Sequence, residues 1–254
     1  MPTVVVSHGT GGSGGEMEWL VRPLAEAGFR TVAVDHHGNN CVDGYEPEGF
    51  LFVWERPRDV TFVLDALARE APLGPVGVAG FSLGGYTAAA LAGARVDTGV
   101  GQALLRGDVP LPDIPEFPDV LDALRRKLPG DRLRAALADA GSDVSDRRVR
   151  AVFQVAPSDG GRVTRESLAA VDVPFGIRWG GADTIAPFET DTRPYLEDVP
   201  GAAARSAGAD VRHEDFFQHE PAGAAVRARV AADAVRFFRR HLGSGRAVSR
   251  QSDD

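Results

Sequence analysis

The sequence predicts an α/β fold in which a mostly parallel sheet is flanked by helices and interrupted by an inserted cap. Three observations predict it. β-Branched apolar runs alternate with stretches of helical periodicity through the first 98 residues. The hexapeptide Gly80-Phe81-Ser82-Leu83-Gly84-Gly85 stands between an apolar run, Val76 to Ala79, and a small-residue helical stretch, Tyr86 to Ala92. From Thr98 to about Arg148 the alternation stops, with prolines at 110, 112, 115, 118 and 129, and it resumes at Val149 to Ala156.

The elements follow in order. Thr3 to Ser7 is a β-branched run ending in the glycine-rich loop His8 to Gly15. Met17, Leu20, Val21 and Leu24 then share one helical face, which stops at Gly28. Thr31 to Val34 reads as the next strand and Asp35 to Gly49 as a long loop. Val60, Val63, Leu64 and Leu67 give Asp59 to Ala68 its amphipathic helix. Within 99–148 two helices are expected, Asp119 to Lys127 and Asp131 to Ala140. Beyond it come a helix near Arg165 to Ala170, a strand from Pro174 to Trp179, a helix ending at Tyr195 to Val199 and a short edge strand from Ala209 to Arg212. A long helix, Ala222 to Leu242, follows, and then a polar tail. The expected organisation is a core of residues 1–98 and 149–242, a cap at 99–148 with apolar residues Leu104, Leu105, Leu111, Ile114 and Phe117, and a flexible tail at 243–254.

Composition narrows the function class. Hydrophobic residues make up 43% and charged residues 25% of the chain, as in soluble globular enzymes. The formal net charge of -8 argues against nucleic acid or an anionic membrane as the main partner. Lys127 is the only lysine, which reads as coding bias. The single cysteine, Cys41, permits no intrachain disulfide. No signal-peptide pattern opens the sequence, and no run reaches the roughly 18 apolar residues of a membrane span, so a cytoplasmic protein is expected.

The chemistry centres on Ser82. In a G-x-S-x-G turn the serine sits at a strained apex, exposed above the sheet, while small neighbours let strand and helix approach. A serine hydroxyl needs a base within hydrogen-bond reach and an acid to orient that base. After such a turn the acid precedes the base in the chain. Asp183, just beyond an apolar strand, is the favoured acid, with Asp159 the alternative. His213 is the favoured base, with His219 the alternative. An oxyanion needs two donors. The N–H of Leu83 supplies one, and the loop His8-Gly9-Thr10-Gly11-Gly12 points to the N–H of Thr10 for the other. That loop matches neither a G-x-G-x-x-G nor a G-K-[ST] phosphate-binding pattern. His36, His37 and Cys41 raise the thought of a metal, but no further ligand stands at a recognisable spacing. No metal or cofactor is expected, and His36 and His37 are assigned to the rim of the site.

Together these elements resemble the α/β-hydrolase superfamily. More narrowly they are similar to the predicted dienelactone-hydrolase and platelet-activating-factor-acetylhydrolase-like branch. The resemblance runs through Ser7 to Gly12, Val34 to Asn40, Glu55-Arg56-Pro57-Arg58-Asp59-Val60, the Ser82 hexapeptide, Asp183 with Ile185 and Pro187, and His213 before Phe216. It implies an α/β-hydrolase fold with nucleophile Ser82, acid Asp183, base His213 and oxyanion donors Thr10 and Leu83. Two departures matter. The superfamily usually has one or two strands before the oxyanion loop, which here begins at residue 8, so the N-terminal sheet edge is expected to be shortened and open to pairing in a homo-oligomer. Dienelactone hydrolases proper use a cysteine nucleophile, and position 82 is serine. The expected activity is hydrolysis of a small-molecule carboxylic ester with a short to medium acyl group. Acyl transfer or amide hydrolysis on the same triad, and a non-catalytic ligand-binding role, are the alternatives.

Overall fold

Val4, Val5 and Val6 lie in the interior of the sheet, and their alternation decides which core each one fills. They belong to β1 (Thr3–Ser7), all five residues of which are buried. The protein is described here by a computed structural model covering residues 1–99, 102–103, 108, 114–128 and 130–243. The six-stranded sheet runs in the order β2 (Arg30–Val34), β1, β5 (Val76–Phe81), β6 (Val149–Val155), β7 (Phe175–Gly180), β8 (Ala203–Gly208). Every pairing is parallel, with Val5 opposite Val32 on one side and Val78 on the other. A parallel sheet needs helices on both faces, and its inner strands are accordingly near-continuous apolar runs.

Val5, Val76, Val78 and Val152 face one core, closed by α3 (Arg56–Glu70) and α4 (Leu83–Leu91). Val4, Val6, Ala79 and Phe153 face the other, closed by α1 (Glu18–Glu26) and the long last helix, α9 (Ala224–Leu242). Phe29 meets Phe238 edge to face at 6.3 Å there. On its N-terminal side the sheet ends at β2, whose residues Arg30 to Ala33 are only half-buried.

The opposite edge corrects the sequence expectation. The last strand is Ala203–Gly208, and Ala209 to Arg212 form the turn that follows it. Ala203-Ala204-Arg205-Ser206-Ala207-Gly208 has no β-branched residue, so strand propensity did not mark it. The loop expected at Asp35 to Gly49 also carries structure: a hairpin of β3 (Asn39–Asn40) and β4 (Gly44–Tyr45), then α2 (Pro47–Leu51).

In the insertion, α5 (Val120–Lys127) and α6 (Asp131–Ala138) match the two expected helices. Leu124 belongs to the same core as α3 and α4, so this part packs onto the main body. Phe117 stands edge to face on Phe50 of α2 at 5.6 Å. Lys127 reaches Glu46 at 2.6 Å and Glu48 at 2.9 Å. These exposed ion pairs add little, and the aromatic seam carries most of the contact. Leu104, Leu105 and Leu111 of the expected cap, and the tail beyond Gly243, lie outside the described residues. α7 (Arg165–Ala169) lies between β6 and β7, and α8 (Arg193–Asp198) between β7 and β8.

Candidate active site

Ser82 sits between β5 and α4 with φ 53 and ψ -121, a conformation that costs a non-glycine residue of order 1–3 kcal/mol. The surroundings hold it there. A methyl on Gly80 would overlap the Gly84 carbonyl, and one on Gly84 would overlap the Ser7 carbonyl, so strand and helix meet this closely only with glycine at both positions. The Ser82 N–H donates to Val155 O at 3.0 Å, and its carbonyl accepts from Ser158 N at 3.1 Å. Leu83 opens α4, so its N–H has no intrahelical acceptor and is free to serve another oxygen.

Asp183 and His213 come together across 30 positions of sequence. Asp183 lies beyond the end of β7, where its Oδ1 accepts the N–H groups of Ile185 at 3.0 Å and Ala186 at 2.8 Å. Its Oδ2 lies 2.7 Å from His213 Nδ1. A carboxylate only accepts, so His213 donates to it through the proton on Nδ1. His213 heads a short turn, His213–Phe216, fixed by Asp215 accepting from Arg212 N at 2.8 Å and by Arg227 of α9 donating to Asp215 O at 2.9 Å. Its ring packs on Phe81, the residue before Ser82, with centroids 4.8 Å apart.

The alternatives fall elsewhere. Asp159 pairs with Arg162 at 2.8 Å and makes no bond to either histidine. His219 stands on the wall of a cleft beside Phe217, with ring centroids 5.6 Å apart. The cleft, of about 180 Å³, runs past Gly9 and Thr10 to Phe81 and Phe217, and Glu16 and Glu116 also line it. Gly9 lies directly against Ser82, and the glycine-rich loop and Phe81, the residue before Ser82, share this wall. Thr10 and Leu83 are thus placed on the two backbone segments that flank Ser82.

Residues 2–214 match the model of the family described as Serine aminopeptidase, S33. The chain belongs to this family of α/β-hydrolases. It is therefore a hydrolase of the α/β type. No curated protein matches its sequence. No helix among the described residues is long and apolar enough to cross a membrane.

The hydrolase does not place His36 and His37 on the rim. His36 is wholly buried, its Nδ1 2.9 Å from Asp59 Oδ2 and its Nε2 2.8 Å from Ser7 Oγ. His37 is exposed and offers its N–H to the same carboxylate at 3.3 Å, and neither ring lines the cleft. The strand end at Val34 turns inward here because it feeds a buried polar network instead of a ligand. Beside His36 lies His8, which accepts from His36 N at 3.2 Å and contacts Gly9 O at 2.6 Å through Nδ1. Burial and the nearby Arg56 cation lower the His8 pKa to about 3 and push that of His36 well below its usual value. Burial raises the Asp59 carboxyl to about 6. Arg56, at the start of α3, is the centre of this network, a role the sequence signalled only through the Glu55–Asp59 segment.

Proposed function

We propose that this hydrolase is a serine esterase acting on carboxylic esters of short to medium acyl length, with Ser82, His213 and Asp183 as its triad. The observation that carries the reading is the 2.7 Å Asp183–His213 hydrogen bond, set against the ring of the residue that precedes a strained serine. Ser82 Oγ attacks the ester carbonyl carbon while His213 Nε2 takes the hydroxyl proton. Asp183 stabilises the imidazolium and holds its tautomer. The N–H groups of Leu83 and Thr10 receive the negative charge that develops on the carbonyl oxygen. Collapse breaks the bond to the leaving alkoxide, which takes the proton from His213, and the acyl group stays on Ser82. Water, deprotonated by His213, then releases the acid and restores the serine. The small cleft favours a short to medium acyl group, and the partner expected is a small-molecule ester. The Glu55–Asp59 segment also favours a place near the dienelactone-hydrolase and platelet-activating-factor-acetylhydrolase-like branch.

A second reading, hydrolysis of an amide next to a free amine, is favoured by Glu16 and Glu116 on the cleft and by the family's description as a serine aminopeptidase. One experiment separates them. Wild type and Ser82→Ala are compared on p-nitrophenyl acetate, butyrate and octanoate and on aminoacyl p-nitroanilides. Ester turnover that vanishes in Ser82→Ala supports the esterase; faster anilide turnover supports the second reading. Turnover retained in a clean Ser82→Ala preparation would overturn both.

A further inference from the structure

Arg56 is an unusual residue to find wholly inside a hydrolase core. Its side chain is 2% exposed, and its hydrogen bonds go to neutral groups. Nε donates to Thr87 Oγ1 at 3.1 Å, Nη1 to Asn39 Oδ1 at 3.0 Å, and Nη2 to the His8 carbonyl and to Ser7 Oγ, the latter at 3.4 Å. The nearest carboxylate in the network, Asp59, is reached only through the chain Ser7–His36–Asp59. A buried cation satisfied this way is costly, and a well-packed apolar side chain would stabilise the core at least as well. What the guanidinium does that an apolar residue cannot is visible at the other ends of its bonds.

Gly9, Gly11 and Gly12 offer the loop no side chain of their own to hold it, so contacts from outside must fix its shape. Ahead of Thr10, the His8 carbonyl accepts from Arg56 Nη2. Behind it, the Gly11 N–H donates at 2.8 Å to Asn39 Oδ1, the same oxygen that accepts from Arg56 Nη1. The Gly11 carbonyl accepts from Tyr45 Oη at 2.9 Å, and the Gly12 carbonyl from Cys41 N at 3.0 Å. One planar fork therefore secures the backbone on both sides of Thr10, one side directly and the other through Asn39. Lysine has the charge but not the two divergent arms.

We infer that Arg56, with Asn39 as its relay, is a positioning residue that sets the Thr10 N–H in place for the oxyanion. The inference rests on the proposed serine mechanism. Its signature is a loss confined to the transition state: kcat falls while KM holds. Removing an oxyanion donor outright costs about 100- to 1000-fold in kcat, and a displaced donor retains part of its effect, so the Arg56 variants should lose about 10- to 100-fold.

The test measures kcat, KM, Tm and the affinity of a trifluoromethyl ketone matching the acyl chain, for wild type, Ser82→Ala, Arg56→Lys, Arg56→Met, Asn39→Ala and Asn39→Asp. The expected result is a fall in kcat for both Arg56 variants and Asn39→Ala, with KM within about threefold. Ketone affinity should fall in proportion to kcat/KM. Asn39→Asp keeps an acceptor for both Gly11 N–H and Arg56 and should recover most of what Asn39→Ala loses. An unchanged kcat in a folded Arg56 variant, or a KM effect with kcat held, overturns the inference. If the Arg56 variants do not fold, the Asn39 pair decides alone: equal kcat in Asn39→Ala and Asn39→Asp overturns it. Turnover retained in Ser82→Ala overturns the serine mechanism itself, and this inference with it; an inactive Ser82→Ala beside an unaffected Arg56→Lys overturns only the role of Arg56.

Discussion

Replacing Asp183 by asparagine should disable His213 for a reason that can be worked from the hydrogen bonds. In the wild type Oδ1 holds two backbone donors, Ile185 N at 3.0 Å and Ala186 N at 2.8 Å, and Oδ2 faces His213 Nδ1 at 2.7 Å. An amide has one acceptor atom, and the two N–H groups claim it. The amide nitrogen then faces His213, and because it only donates, the imidazole must move its proton to Nε2. That tautomer cannot accept a proton from Ser82. Turning the amide over restores the useful tautomer but gives up two hydrogen bonds of about 1–1.5 kcal/mol each. At about 1.4 kcal/mol per tenfold, the cost of about 2–3 kcal/mol leaves the productive arrangement about 30- to 140-fold rarer. Loss of the negative charge opposite the imidazolium should bring the total fall in kcat to about 10³–10⁴-fold. The assay is steady-state p-nitrophenyl ester hydrolysis, with Tm measured alongside. Asp159→Asn, which touches the Arg162 pair and a 3.3 Å bond from Ser158 Oγ, should stay within about threefold of wild type. Asp183→Asn activity within tenfold of wild type would refute the tautomer argument.

Three further outcomes are expected. Ser82→Gly should abolish turnover and yet raise Tm by about 2–4 °C, because the φ 53 backbone suits glycine and the relief slightly exceeds glycine's entropic cost; a Tm at or below that of Ser82→Ala would speak against stored strain. Gly80→Ala should prevent soluble expression or eliminate activity, since its methyl would force β5 and α4 apart at the Gly84 carbonyl; a stable, active variant would contradict the close-approach argument. Stability should fall from about pH 7 to 6, as the unfolded chain takes up protons on His8 and His36 that the folded state refuses, at up to about 1.4 kcal/mol per pH unit for each. Below pH 6 the Asp59 carboxyl, raised to about 6, binds a proton in the folded state first and offsets part of that loss. Urea midpoints at pH 7, 6 and 5 would follow this, and a flat response between 7 and 6 would count against neutral buried histidines.

How much of this was legible in the sequence depended on whether the signal was local. The Ser82 turn needs glycine at fixed offsets between a strand and a helix, all within a dozen residues, and it was read directly. The meeting of Asp183 with His213 was legible because each follows an expected end of structure in the order such turns require, although the strand preceding His213 lies earlier, at Ala203–Gly208. Its alanines, arginine and serine carry no β preference, and only pairing with β7 makes it a strand. The hairpin at Asn39 to Tyr45 escaped because two-residue strands leave no periodicity. His36 was misassigned for a different reason: a histidine after a strand end looks the same in sequence whether it faces ligand or core. Its partners, Ser7 and Asp59, stand 29 and 23 positions away.

The proposed Ser82-His213-Asp183 triad and the buried chain Ser7-His36-Asp59 show why the constellation alone does not make an active site. Ser7 Oγ, His36 and Asp59 are linked at 2.8 and 2.9 Å, a relay as well formed as the Asp183–His213 pair. Yet Ser7 ends a regular buried strand with no exposed surface, and its hydroxyl already accepts from Arg56. A deprotonated Ser7 Oγ, shut inside the strand, would have no substrate carbonyl to attack. The same three residue types at Ser82 meet the opposite conditions: a strained turn that lifts the serine off the strand, an opening helix with a spare N–H, and a cleft along the glycine-rich loop. The buried relay acts in the other direction. It links the Arg56 cation to Asp59, the partly exposed end of the network, while the guanidinium's remaining arms reach the loop beside Ser82. In the proposed mechanism one relay moves a proton, and the other keeps a charge still.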